Sequence, residues 1–126
     1  MITYDSFTPG QVMGAREMVL DATALEAWRE LFPQDDLGGT MPHGMVAAIS
    51  MRAYAEILQP RPPGNVHAAQ YFELLRLPRQ GERLTTTITC LEKERRKGRP
   101  WVTLGMETTG PEGPAFRGRM TVIWAA

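Results

Sequence analysis

Cysteine is almost missing from this chain. Cys90 stands alone, which excludes an intrachain disulfide framework and any zinc site built from several thiolates. An excess of one charge is missing too. Lys and Arg total 14, Asp and Glu total 14, and the formal net charge is zero. That balance argues against a dedicated nucleic-acid binder, whose phosphate contacts need a clustered basic excess. The one dense basic run, Arg95-Arg96-Lys97-Gly98-Arg99, is too short to make the whole chain cationic. No apolar run reaches the ~18 residues that mark a membrane helix. Met1-Ile2-Thr3-Tyr4-Asp5 carries neither a basic n-region nor an apolar h-region, so no secretory signal is expected. A soluble protein of the reducing cytoplasm is the expectation, with no metal, no cofactor, no nucleic acid and no membrane among its partners.

What the chain does have is the material for one folded unit. Its 126 residues are 43% hydrophobic and 22% charged, which suits a single domain over 1–126 and is too apolar for intrinsic disorder. Thr8-Pro9-Gly10-Gln11 reads as a turn, and Arg16 to Leu20 as a first strand. Asp21 to Glu26 opens a helix, with Thr23 and Glu26 at capping-box spacing. Leu25, Trp28 and Phe32 recur at helical spacing as one buried stripe, and Pro33 ends the helix. Gln34 to Gly39 is a loop.

A second helix is expected from about Met41 to Leu58, with Thr40 as its cap and Pro42 in its first turn. Met41 to Met51 contains no formally charged residue. A helix apolar all round, in a chain with no membrane span, should be enclosed by other structure. From Val66 the period changes to two. Strands are expected over Val66 to Leu77, Leu84 to Leu91, Trp101 to Thr109 and Phe116 to Trp124. Turns at Pro78-Arg79-Gln80-Gly81, Lys97-Gly98 and Gly110-Pro111-Glu112-Gly113 make those four strands an antiparallel meander. An enclosed helix plus a twisted antiparallel sheet is solved economically when the sheet wraps the helix. The expected class is therefore α+β, in the hotdog arrangement. Such a sheet leaves an edge or a face open, so a homodimer or higher oligomer is expected.

Several segments resemble one family. Phe7-Thr8-Pro9-Gly10-Gln11 resembles the opening of MaoC-like hydratase and dehydratase domains. Met41-Pro42-His43-Gly44-Met45 is similar to the segment that opens their central helix. Leu77-Pro78-Arg79-Gln80-Gly81-Glu82-Arg83-Leu84 is similar to their strand–turn–strand, and Gly98-Arg99, the Gly110 to Gly113 turn and the final strand with Gly118 also fit. The resemblance spans nearly the whole chain. It implies a hotdog fold, assembly as dimers of such folds, and binding of acyl thioesters of coenzyme A or acyl carrier protein. One departure stands out. The family's Asp-x-Asn-Pro-x-His catalytic segment corresponds here to Pro33-Gln34-Asp35-Asp36-Leu37-Gly38-Gly39-Thr40. Asp35 or Asp36 can match the aspartate, but the Asn-Pro-x-His part is missing. Hydration of an enoyl thioester needs one group to activate water and another to handle the α-proton.

The candidate site residues follow from this resemblance and from the chemistry. Unpaired N–H groups and the positive end of the helix dipole at His43-Gly44-Met45 can polarise a thioester carbonyl, and Gly44 permits close approach of a ligand to the backbone. The bland alternative is a plain helix start with Gly44 small for packing. Asp36 and His43 are the proton-transfer candidates. Asp35 and Asp36 read equally well as solvated or capping acids, and His43 as a ligand contact or a buried histidine bonded to a carbonyl. His67, at a strand start, reads as structural. Arg96 and Arg99, with Arg95 and Lys97, are candidates for phosphate contacts of coenzyme A or phosphopantetheine; the alternative is a solvated hairpin tip. Arg117 and Arg119 share the polar face of the last strand. Met41, Met45, Met51, Met106 and Met120 suit either an acyl tunnel or ordinary core.

Three functions are therefore in play. One is an acyl-thioester hydratase or dehydratase in which Asp36 or His43 substitutes for the usual pair. Another is a non-catalytic acyl-CoA-binding chain, or a subunit of a heteromeric hydratase whose second MaoC-like chain holds that pair. The third, a hotdog thioesterase, is weakest. That chemistry commonly uses a carboxylate on the central helix, and none occurs from Met41 to Ala55.

Overall fold

In the computed structural model, every residue is described except Asp36, Leu37 and Ala126. The chain runs β1 (Val12–Val19), α1 (Ala22–Leu31), α2 (Met45–Ile57), β2 (Val66–Leu74), β3 (Arg83–Arg96), β4 (Arg99–Gly110) and β5 (Gly113–Ile123). Short 3₁₀ turns stand at Tyr4–Ser6 and Pro33–Asp35. The five strands form one antiparallel sheet in the order β1-β3-β4-β5-β2.

Alternation builds the sheet. On β3, Leu84, Thr86, Ile88 and Cys90 are buried, while Thr85, Thr87 and Thr89 face outward. On β5, Phe116, Met120 and Val122 are buried and Arg117 and Arg119 are exposed. Burying each large apolar side chain is worth roughly 1.5–3 kcal/mol, so a one-residue slip would be prohibitive. The two inward hydroxyls of Thr86 and Thr108 satisfy each other at 2.7 Å.

Helix α2 lies across the inner face. Met45, Val46 and Ile49 join Leu20, Leu25, Met41, Leu84 and Phe116 in one apolar cluster. Ala53 joins Phe7, Ile88, Val102, Leu104, Met120 and Trp124 in a second, farther along the helix. Strand β1 comes close to the end of α2, and Gly14 makes the approach possible: a Cβ there would stand 2.8 Å from Ile57 Cγ2. This is the hotdog architecture. Among the described residues, no helix is long and apolar enough to cross a membrane.

Several local expectations need correction. Strands β3, β4 and β5 form the meander, but β2 pairs with β5 at the far edge. The segment from Leu75 to Glu82 is too long for a tight hairpin, and about 27 Å of extended chain can cross the two intervening strands. The N–H groups of Leu75 and Arg76 both donate to Ala115 O on that path. Asp21, not Thr23, caps α1, accepting from the Ala24 N–H at 2.9 Å. Helix α2 starts at Met45 rather than Met41. Thr40 pairs with Arg79, and the Met41 N–H donates to Pro78 O, so both residues are extended. Strand β1 begins at Val12, ahead of the expected Arg16. Finally, α2 is covered on one side only: Ala47, Ala48, Arg52 and Glu56 are exposed in the single chain. Alanine serves either face of a helix, so an uncharged run does not by itself require enclosure.

Candidate functional site

The opening of α2 is where the motif residues gather. His43 and Gly44 form a turn in which the Met45 N–H donates to Pro42 O at 3.1 Å and the Val46 N–H to His43 O at 3.1 Å. Those two donors are therefore engaged inside the turn. The N–H groups of His43 and Gly44 have no acceptor among the described residues. Gly44 is the N-cap, with φ −63° and ψ −23°, and no side chain caps the helix. This conformation suits any residue, so the backbone does not demand glycine.

Packing does demand it. A Cβ on Gly44 would stand 2.7 Å from Trp28 Cζ2 and 3.2 Å from Cη2. The indole of Trp28, on α1, rests on the glycine. Two further contacts fix it there: Trp28 Nε1–H donates to Asp35 Oδ2 at 3.1 Å, and its ring lies 4.6 Å from that of Phe32. Asp35 thus spends a carboxylate oxygen on Trp28. Sequence spacing placed Trp28 in a buried stripe, but Leu25 alone of that stripe is fully buried, and Phe32 is 47% exposed. Trp28 is the site residue that sequence reasoning missed. The available signal was an indole on α1 preceding a side-chain-free position at the next helix start.

The remaining candidates distribute as follows. Asp36 lies outside the described residues. His43 is exposed, which removes the reading of a buried histidine bonded to a carbonyl. Met45 is 6% exposed and sits in the core cluster under the helix opening. Met41, Met106 and Met120 are buried as well, as core residues. His67 is exposed on β2, where Nε2 meets Gln70 Oε1 at 3.0 Å.

Arg96 and Arg99 lie at the other end of the molecule. Leu84, which shares a cluster with Met45, begins the strand that Arg96 ends. At 3.3 Å per residue the two are roughly 40 Å apart along β3. One chain does not bring these arginines to Gly44. They line a hollow of their own, about 460 Å³, together with Lys97 and Trp101. Arg96 stacks 4.0 Å above the Trp101 ring and pairs with Glu94 at 2.8 Å. Lys93 and Arg95 lie over the Tyr4 ring at 4.4 and 4.7 Å. Cation–π contacts hold the basic tip in shape, and neither aromatic partner was legible as such in the sequence.

The Pro-Gly turn motif has a structural role. Glu82 accepts two bonds from Arg76, at 3.1 and 2.8 Å, and one from the Arg79 N–H at 2.5 Å. The hydrogen bonds from Arg76 hold the Glu82 carboxyl below the usual carboxylate range. Glu56, the carboxylate of α2, is held low by its bonds to Arg16 and Arg52. Burial pushes the Cys90 thiol up. Among the described residues, no three His, Cys, Asp or Glu side chains gather as a metal site requires.

No family model matches this sequence, and no curated protein matches it. Solved structures do. The chain is similar over 100% of its length, and 99% of the other's, to a MaoC-like dehydratase from Rhodospirillum rubrum, with 20% identity and a TM-score of 0.83. It is similar to the unliganded R-hydratase of Pseudomonas aeruginosa at 17% identity and TM-score 0.77, covering 98% of this chain and 85% of that one. A third match is the truncated 3R-hydroxyacyl-ACP dehydratase complex HadBC of Mycobacterium tuberculosis, at 14% identity and TM-score 0.69, covering 91% and 96%. At these identities the shared property is the hotdog fold.

Proposed function

We propose that this chain is a hydratase-type hotdog subunit that binds acyl thioesters, of coenzyme A or acyl carrier protein, and does not hydrate them unaided. Its full-length likeness to hydratases and dehydratases supports the thioester. One observation carries the choice of a subunit over an enzyme: Asp35, the described acid of the loop, is engaged by Trp28 Nε1–H, whose ring packs on the still exposed Gly44. Together with the missing Asn-Pro-x-His segment, that leaves no recognisable water-activating pair. A second chain that holds the pair, or a second copy at the open β2 edge, completes the assembly. Strand β2 ends the sheet order, and an open strand edge is a template for pairing. Arg96 and Arg99 then serve a thioester's phosphates only in a site shared between chains.

The enzyme reading rests on exposed His43 beside two unengaged N–H groups, with Asp36 as its partner. The thioesterase reading has less support. Glu56 stands about 16 Å along the helix from Met45, and two arginines engage it. Hydration of crotonyl- and longer enoyl-coenzyme A by the purified chain, alone and with a neighbouring MaoC-like chain, is the test. Little or no turnover is expected alone. Robust turnover by the chain alone, cut about a hundredfold by Asp36→Asn or His43→Ala, would overturn the subunit reading and establish the enzyme.

A further inference from the structure

The face of the sheet turned away from α2 carries a hollow of about 590 Å³. Its walls come from two adjacent rows of cross-strand neighbours. One row runs Thr89–Gly105–Arg119–Tyr71 and the next Thr87–Glu107–Arg117–Glu73, from β3 through β4 and β5 to β2. Gly105 carries no side chain in the first row, and Leu91 fills that place, with its Cδ atoms and Cγ 3.1–3.2 Å from where a Cβ would stand. In the second row Arg117 reaches Glu73 at 3.7 Å. Glu107 and Arg119 have no ion-pair partner within 4 Å among the described residues. Two carboxylates and two guanidinium groups therefore share the hollow at zero net charge, and one charge of each sign is unspent.

We infer that this face receives a second copy of the same chain, back to back. A two-fold axis running along the strands between β4 and β5 keeps each row at its own level and lays one copy's β5 over the other's β4. Arg119 of each copy then lies over Gly105 and the Leu91 side chain of the other, and Arg117 of each meets Glu107 of the other. Tyr71 comes to rest over Thr89. A self-complementary patch of this kind is what an isologous interface needs, and the charges alternate across it rather than repel. Sheets packed face to face stand about 10 Å apart, within reach of two arginine side chains. Five strands at about 4.8 Å, over the length from Arg83 to Leu91, present on the order of 600 Å² per copy. That is near the lower end for a stable complex, so a reversible association that depends on the charges follows. This interface is separate from the β2 edge and from the helix opening.

The test uses the full chain and two charge reversals. Arg117→Glu makes the β4–β5 pair wholly acidic, and Glu107→Arg makes it wholly basic. Each variant alone is expected to lose self-association by about tenfold or more, so that light scattering gives half the wild-type mass. Circular dichroism checks that both fold. An equimolar mixture is expected to recover the wild-type mass, because each chain's reversed residue then meets an opposite charge on the other. The recovery cannot come from within a chain, where the pair stays like-charged. Should a reversal unfold the protein, Arg117→Gln and Glu107→Gln give the milder version, each weakening association, with partial recovery on mixing because the mixed pair keeps one Glu107–Arg117 contact. Singles that associate as strongly as wild type, or reversals whose mixture is no heavier than either alone, would overturn the inference.

Discussion

Gly44→Ala adds one methyl group where Trp28 already sits. The new Cβ would meet Cζ2 at 2.7 Å, whereas carbon atoms are comfortable at about 3.5–4.0 Å. The indole must retreat by about 1 Å, away from Gly44 and out of line with Asp35. Overpacking of that kind costs about 1–3 kcal/mol, and weakening the 3.1 Å bond from Nε1–H to Asp35 adds about 1 kcal/mol. Against this, alanine at a helical φ restricts the unfolded chain and returns about 0.4–1 kcal/mol. The net expectation is a loss of about 2 kcal/mol, read as a lower urea midpoint at unchanged m-value, with a displaced Trp28 indole N–H resonance. The same substitution in a Trp28→Ala background meets no ring and should stabilise by about 0.4–1 kcal/mol. The sign reversal is the signature, a coupling of about 2–3 kcal/mol between the two positions. An equal cost in both backgrounds would refute packing on Trp28 as the reason for glycine at this position.

Three further outcomes follow from the same structure. Glu82 is held ionised by Arg76, so its contribution is complete above the ordinary glutamate value of about 4.3 and disappears as pH falls through the lower folded value; Glu82→Gln should cost about 1–3 kcal/mol at neutral pH and flatten the acid limb of a stability–pH curve. Thr86→Val or Thr108→Val strands one buried hydroxyl and should cost about 1–3 kcal/mol in denaturant titrations, while the double variant should come out close to wild type. Cys90, buried with its thiol pushed up, should stay unlabelled by a thiol reagent at neutral pH until denaturant opens the sheet; fast labelling of the native protein would contradict its burial.

The strands were legible because their code is local. Leu84, Thr86, Ile88 and Cys90 against Thr85, Thr87 and Thr89 fix a period of two, and the structure buries the first set. Strand order was not legible, since nothing near Val66 or Leu74 names β5 as the partner that accepts them. Helix caps fell between the two: Asp21 and Thr23 are both good caps, and only the chain's arrival from β1 decides for Asp21. The helix opening was found through its motif, but its chemistry depends on what covers it. Trp28 reaches Gly44 from another helix, a contact between positions that no short spacing records. The distance between Gly44 and the Arg96–Arg99 tip was likewise invisible, because a list of candidate residues carries no coordinates until β3 lays them along one strand.

The sheet order also sets a timetable for synthesis. As the chain emerges, β2 comes out before β3, β4 and β5, yet its ladder runs along β5 alone, from Val66 opposite Ile123 to Leu74 opposite Phe116. The seat of Phe7 is likewise left open until Trp124 arrives to meet it edge-on at 4.9 Å, with its indole N–H on Ile2 O. A nascent chain paused before β5 therefore presents a naked strand and an unfilled aromatic niche together. At roughly 5–20 residues per second, that interval lasts seconds, long enough for whatever guards unpaired strands in the cell to find it. Variants that slow translation between β2 and β5 should lower the yield of soluble protein without touching the stability of the molecules that do finish.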